Sequence, residues 1–451
     1  MLKGIKNRRF KNASKREKMK KVLVVASYFP PAGGIAPQRA ASFVRHLPKC
    51  GWSPDVVTID WNEKNSGSFD PSLFSDSVGE KVIYRASVPS VRRNGTEKGS
   101  PLLRPELWKT DVVAAGRFVL SRFVKTWQAE GNQFFIRGAY SFLRKHLKES
   151  NYDVIWSSSP DLSPHVIASK ISQEFDIPWV ADCRDDYAVF KEGVSTFVEL
   201  ESRLLKTATS VVTVSKGLQS EIGSRLSRRI EVIENGYEAE HKILEGGAVR
   251  LEQKCFNMVY TGVVAPYYPQ RNNPKLTFEA VSKFLERVPD AKNDFRLTFF
   301  GDKNIEPILQ EFRAIYPNIQ PVLKSEGRIP RDEAIAIQRA ADLLLILAHP
   351  GRKGILTGKV FEYLAARKSI FCLPGDKDEL DELLTVTNTG NVFGCSEEGA
   401  DYLVQSYHEW KNIGEVSYQP NVSEVSKYSR ENLTMKLGSL FDKVVESSSD
   451  K

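Results

Sequence analysis

The sequence predicts an α/β protein made of two Rossmann-like halves, each a doubly wound parallel sheet. Three observations carry this. A chain of 451 residues is too long for one ordinary core, so two domains are the prior. Short strand-like runs rich in Val, Ile, Leu and Phe alternate with stretches of helical periodicity, the rhythm of βαβ units. That rhythm lapses after Asn235-Gly236-Tyr237-Glu238 into polar, irregular sequence through Gln253, and then starts again.

The first series predicts strands at 20–26, 55–59, 81–85, 154–157, 179–181, 210–214 and 230–233. The second predicts them at 256–260, 296–300, 343–347 and 370–373, and residues 429–445 read as a final amphipathic helix. The expected division is a basic arm over 1–19, a first domain over 20–245, a second over 246–425 and a terminal segment over 426–451.

Apolar content of 41% and charged content of 27% are those of a globular protein. Five cysteines, an odd count with no CxxC pair, suggest neither a disulfide framework nor a zinc cluster, and point to a reducing cytoplasm. No apolar run reaches the roughly 18 to 20 residues that a membrane span requires, and the N-terminus lacks the apolar core of a signal peptide. A cytoplasmic protein is expected.

The net charge of +8 lies almost wholly in one place. Residues 1–21 hold ten Lys and Arg against the single acid Glu17, so the rest of the chain sums to −1. Such an arm suits an anionic membrane surface, nucleic acid or no partner at all. Met19-Lys-Lys-Val also reads as a natural start, and no nucleic-acid partner is expected. A second basic region, 92–151, has twelve Lys and Arg against five acids. Within it, 112–128 has the spacing of an amphipathic helix, either packing on a core or lying at the inner face of the plasma membrane.

Two stretches carry the chemistry. Val22-Leu-Val-Val-Ala is a buried strand that breaks at Pro30-Pro31 and reopens as a helix after Gly33-Gly34. Such a junction turns backbone N–H groups and the positive end of a helix dipole toward a phosphate. The second stretch, 357–366, reads as a helix start with Lys359 and Glu362 one turn apart on one face. A cation and an acid so placed suit a diphosphate and a sugar or ribose hydroxyl.

Five landmarks occur in one order: Phe29-Pro-Pro-Ala-Gly-Gly34 with Arg39; Ala181-Asp-Cys-Arg-Asp185; Val214-Ser215 followed by Glu234-Asn-Gly-Tyr237; Tyr260-Thr-Gly262; and Thr357-Gly-Lys-Val-Phe-Glu-Tyr-Leu-Ala-Ala366. With these the chain resembles a GT-B glycosyltransferase of family 4, in the bacterial branch with a Gly-Lys-x-Phe-Glu-Tyr-Leu-Ala segment. The resemblance runs from residue 20 to the C-terminus. It implies two domains facing across a cleft, with the last helix crossing back to the first domain.

The resemblance also implies roles. Gly33 and Gly34 would approach the donor diphosphate and the transferred sugar, where a side chain would block contact. Gly262, Thr357, Gly358, Lys359 and Glu362 would hold the donor, Glu362 at the ribose hydroxyls and Lys359 near the phosphates. Arg39, His165, Asp182, Arg184 and Asp185 would form the acceptor side. For these the bland alternatives stand beside the functional ones: a surface arginine, a core histidine, an ion pair that fixes a turn.

Two features depart from the family's pattern. Relatives often carry a second acid eight residues before Glu362, where this chain has Gly354, and an arginine where it has Val263. Arg271 is the substitute expected for that arginine, so the catalytic set is Gly33, Gly34, Lys359 and Arg271. The implied reaction is transfer of a sugar from a nucleoside diphosphate sugar to a hydroxyl acceptor, retaining and without metal or other cofactor. The implied setting is cell-surface polysaccharide synthesis on a lipid-linked glycan. A sugar-nucleotide epimerase of the same fold and a non-catalytic subunit of an assembly complex are the alternatives.

Overall fold

The computed structural model describes residues 19–63, 69–70, 81–88, 132–185, 195–239, 250–264, 273–301, 305–349 and 353–449. Residues 1–18 of the basic arm, the helix expected over 112–128 and Arg271 lie outside them.

Among the described residues the first sheet has seven strands, all paired in parallel: β1 Lys20–Ala26, β2 Trp52–Ile59, β3 Val82–Ala86, β4 Val154–Ser158, β5 Trp179–Cys183, β6 Ser210–Thr213 and β7 Glu231–Val232. Their order is β3-β2-β1-β4-β5-β6-β7, so the winding reverses beside β1. The second sheet has six: β8 Phe256–Thr261, β9 Phe295–Phe300, β10 Leu323–Gly327, β11 Leu343–Ile346, β12 Ser369–Cys372 and β13 Gly390–Val392, in the order β10-β9-β8-β11-β12-β13. Its reversal lies beside β8. Open sheets of this kind place ligands at the carboxyl edge, at the reversal point.

Helices of the first domain are α1 Ala36–His46, α2 Gln133–His146, α3 Ser163–Phe175, α4 Ser195–Leu205 and α5 Lys216–Leu226. The second domain has α6 Lys275–Arg287, α7 Glu306–Ile315, α8 Arg331–Ala340, α9 Gly358–Ala366, α10 Glu379–Thr387 and α11 Ser396–Ile413, followed by α12 Val422–Ser426 and α13 Arg430–Ser449. Among the described residues no helix is long and apolar enough to cross a membrane.

The expected strands form, with ends shifted by up to three residues. Two that the sequence did not announce are β10 and β13, at opposite edges of the second sheet. Their residues, Leu-Lys-Ser-Glu-Gly and Gly-Asn-Val, are mostly half-exposed. An edge strand need not carry the continuous apolar run that a central strand such as β1 requires.

Side chains of β1 alternate between two cores, Leu23 and Val25 on one face and Val22 and Val24 on the other. The second of these cores is completed from the far end of the chain. Leu433, Leu437, Phe441 and Val444 of α13 recur at helical spacing and pack there, with the Phe441 ring 5.3 Å from Trp52. The last helix therefore crosses back onto the first domain.

The two chain crossings between domains run side by side. Tyr237 N donates to Tyr428 O at 3.1 Å, and Arg430 N returns to Tyr237 O at 2.9 Å. Gly236 has no room for more: a Cβ there would stand 2.4 Å from Tyr428 O and 2.5 Å from a Leu433 methyl. Gly236→Ala is expected to cost about 1–3 kcal/mol by overpacking, seen as a lower urea midpoint.

Candidate functional site

A closed cleft lies between the domains. The start of α1, Arg184 after β5 and residues 235–238 form one wall; α8 and α9 form the other, with Arg430 at the crossing. The enclosed free space is about 40 Å³. That holds a water or so, whereas small-molecule sites run to roughly 300–1,000 Å³. This space as it stands is too small for a nucleotide.

The chain just after the glycine loop, from Ile35 on, lines this cleft. Gly34 has φ +86°, a conformation that favours glycine, and its carbonyl accepts from Gln38 Nε2 at 3.2 Å. Ile35, the next residue, reaches the start of α9: a Cβ on Gly358 would be 3.5 Å from its side chain. Ile35 and Gly358, far apart in sequence, thus meet at the cleft.

Arg39 is not a surface residue, and its guanidinium is already engaged. Its Nε and Nη2 donate to the two oxygens of Asp182, each at 2.9 Å, while Nη1 reaches Glu234 O at 2.7 Å and Nη2 also reaches Ile233 O at 2.8 Å. Asp182 is fully buried and takes a further bond from Ser158 Oγ at 2.8 Å. The pair fastens α1 to β5 and to the chain leaving the first domain. Asp182 does belong to an ion pair, the bland alternative to an acceptor role, but its partner comes from 143 residues away and not from the neighbouring Arg184.

Arg184 lines the cleft and donates from Nη1 to Ala36 O at 2.6 Å. Beside it the carboxyl of Asp185 is raised by burial, with Arg184 opposing. His165, expected on the acceptor side, is in the core instead. Its Nδ1 meets Ser157 Oγ at 2.7 Å, the ring lies 6.1 Å from Trp179, and burial holds its pKa down to about 4. A neutral imidazole that bonds a core serine is positioned as packing.

In the second domain Glu362 lines the cleft, and no hydrogen bond or ion pair holds its carboxylate among the described residues. Lys359 turns the other way. Its Nζ lies 3.5 Å from the centre of the Tyr260 ring and close under Gly262, whose φ is +131° and whose Cβ, if it had one, would be 2.7 Å from that nitrogen. Burial lowers the Lys359 pKa to about 7, with Glu362 opposing. The two residues share a helix but not a direction. Thr357 precedes α9 without a side-chain cap bond, and Tyr363 anchors that helix by accepting from Thr261 N at 3.1 Å.

Gly354 stands at a position with no room for a side chain. The backbones of Gly354 and Gly217 approach so closely across the domain boundary that a Cβ on Gly354 would be 2.6 Å from Gly217 Cα. Next to this contact Glu379 accepts from the first two N–H groups of α5, Lys216 at 2.9 Å and Gly217 at 2.6 Å. A carboxylate from one domain thus caps a helix of the other.

Several cleft residues escaped the sequence reading. Arg331, Arg339 and Arg430 line it, and Gln38 bridges to two of them, its Oε1 accepting from Arg331 Nη2 at 3.4 Å and Arg430 Nη2 at 3.3 Å. The signal present was Pro330-Arg331 opening a helix after a glycine turn, a pattern too common to single out. Glu238 is the other cleft carboxylate. Burial works to raise its pKa, but bonds from His46 and Ser42 and the charges of Arg430 and Arg45 outweigh this and hold it at about 2. Since its folded pKa lies below the usual 4.5, its contribution is complete above about pH 4.5 and is lost as pH falls through about 2. The stability gap between wild type and Glu238→Gln should therefore narrow on acidification across that window, as followed by urea unfolding.

No protein-family model matches the chain, and no curated protein sequence matches it. Solved structures do resemble it. The N-terminal domain of Candida albicans trehalose-6-phosphate phosphatase aligns with a TM-score of 0.57 at 13% identity, over 94% of this chain and 97% of that one. Anabaena Alr3699/HepE in complex with UDP-glucose aligns at 0.51 and 11% identity, over 95% and 98%. UDP-GlcNAc 2-epimerase from Neisseria meningitidis bound to UDP-GlcNAc aligns at 0.51 and 11%, over 94% and 100%. At such identities the likeness speaks to fold, and with the two parallel sheets and the returning helix it shows that this chain has the two-domain GT-B architecture.

Proposed function

We propose that the protein is an enzyme acting on nucleoside diphosphate sugars, and that it transfers the sugar to a hydroxyl acceptor. The observation that carries this reading is Glu362: a carboxylate one turn into α9 that no hydrogen bond or ion pair holds among the described residues, in a cleft whose opposite wall includes Ile35 and the start of α1. It is suited to accept the hydroxyls of a ribose. Two proteins of the same fold were solved with UDP-glucose and with UDP-GlcNAc, which supports a sugar nucleotide as ligand.

In the proposed reaction the bond from the sugar carbon to the diphosphate breaks, the bond to the acceptor oxygen forms, and the hydroxyl proton passes to the departing phosphate. Charge gathers on the diphosphate. The N–H groups at the start of α9, the glycine loop of residues 33–34 and Lys359 are assigned to meet it, which requires no metal. Retention of configuration and Arg271 as a further cation rest on the family resemblance. Arg184 and Asp185 are assigned to the acceptor side, with Arg39 and Asp182 holding that wall in place. A lipid-linked glycan at the cytoplasmic membrane face, in polysaccharide synthesis, is the acceptor this reading favours. Domain closure over the donor would exclude water and limit hydrolysis.

Epimerisation is the second reading, favoured by the likeness to the Neisseria epimerase bound to its sugar nucleotide. Incubation with UDP-, GDP- and dTDP-sugars, followed by nucleotide chromatography and proton NMR, separates the two. Release of nucleoside diphosphate that requires an added glycan acceptor supports transfer, and the anomeric coupling of the product reads retention. Inversion of a sugar carbon without release makes the protein an epimerase. Binding with neither change makes it a non-catalytic subunit.

A further inference from the structure

We propose that Arg184 and Arg331 together form a phosphate subsite that spans the two domains, each contributing its guanidinium to one phosphate group. Arg184 follows β5 in the first domain and Arg331 opens α8 in the second, and both line the cleft. The Nε–H of each is buried and meets no acceptor among the described residues. Buried donors are nearly always paired, so two such groups in one small cleft call for a shared explanation.

Two neighbouring arginines are already engaged. Arg39 is committed to Asp182, and Arg430 donates to Gly236 O, Gln38 O and Gln38 Oε1. Among the described residues the guanidinium groups of Arg184 and Arg331, by contrast, each make one hydrogen bond, to the neutral acceptors Ala36 O and Gln38 Oε1. Arg184 is only 9% exposed, so its guanidinium has little water to turn to. The wider field has the right sign, since among the described residues five arginines line the cleft against the carboxylates Glu238 and Glu362. A guanidinium edge matches phosphate oxygens in geometry as well as charge.

The subsite gives closure a cause. A phosphate gripped from both sides joins the domains, so binding and closing become one event. It also adds two guanidinium groups to the charge assigned to Lys359, whose Nζ lies over the Tyr260 ring. The phosphate belongs either to the donor diphosphate or to a phosphorylated acceptor. The subsite rests on the sugar-nucleotide reading only for that assignment.

Calorimetric titration of the full chain with inorganic pyrophosphate, and then with UDP, GDP and ADP, tests this. Wild type should bind pyrophosphate, and Arg184→Gln and Arg331→Gln should each weaken that binding by about tenfold or more. Their melting temperatures should stay near that of wild type. If Arg184→Gln does not fold, Arg331→Gln carries the test, because Arg331 is only partly buried and loosely bonded. Competition between pyrophosphate and a nucleoside diphosphate places the phosphate on the donor; simultaneous binding places it on the acceptor. Pyrophosphate binding with no response to any nucleotide would leave the subsite standing while removing the sugar-nucleotide reading. No binding of pyrophosphate by wild type, or equal binding by wild type and both glutamine variants, would overturn the subsite.

Discussion

Replacing Arg39 with methionine should destabilise the first domain by about 3–5 kcal/mol, the usual consequence of leaving one partner of a buried ion pair alone. Asp182 would keep only the Ser158 hydroxyl as a partner in a site without exposed surface. The bonds to Ile233 O and Glu234 O would go as well, loosening the start of the crossing to the second domain. Urea unfolding read by tryptophan fluorescence would measure the loss, since Trp156 and Trp179 lie in this domain's core. The double variant Arg39→Met/Asp182→Leu should recover much of it, because a buried pair replaced by packed apolar groups is often neutral. A single variant as stable as wild type would show that Asp182 does not depend on Arg39.

The second large effect is expected at Glu362. A hydrogen bond to a charged group contributes about 1.5–3 kcal/mol, so Glu362→Ala should lower turnover of the sugar nucleotide by about tenfold to a hundredfold. Stability should hardly change, because no hydrogen bond or ion pair secures the carboxylate among the described residues. Lys359→Ala should also lose well over about tenfold, through the charge it presents near the diphosphate. Full activity in both variants, with nucleotide release as the readout, would remove the donor site from α9.

The sequence reading reached the second-domain site through local features. Thr357-Gly358 opens a helix, and Glu362 one turn later stands on the face that lines the cleft. It assigned Lys359 the same direction because spacing alone cannot reveal an aromatic ring waiting on another strand. His165 was misplaced for a similar reason: a histidine after a strand looks the same whether it meets solvent or Ser157. The close approach of Gly354 to Gly217 of the other domain is likewise invisible in local sequence, where Gly354 reads only as a missing acid.

By itself the sequence determined the two parallel sheets, the amphipathic last helix and the glycine loop at the end of β1; that this helix returns to the first domain was implied by the family resemblance. These follow from periodicity and from residues such as glycine and proline that restrict or free the backbone next to them. Tertiary structure alone decided which charges meet: Arg39 with Asp182, Glu379 with the start of α5, and Arg184 facing the same cleft as Arg331. The reason is physical. A hydrophobic pattern is written within a few turns of chain, whereas the partner of a buried charge depends on how elements more than a hundred residues apart pack together.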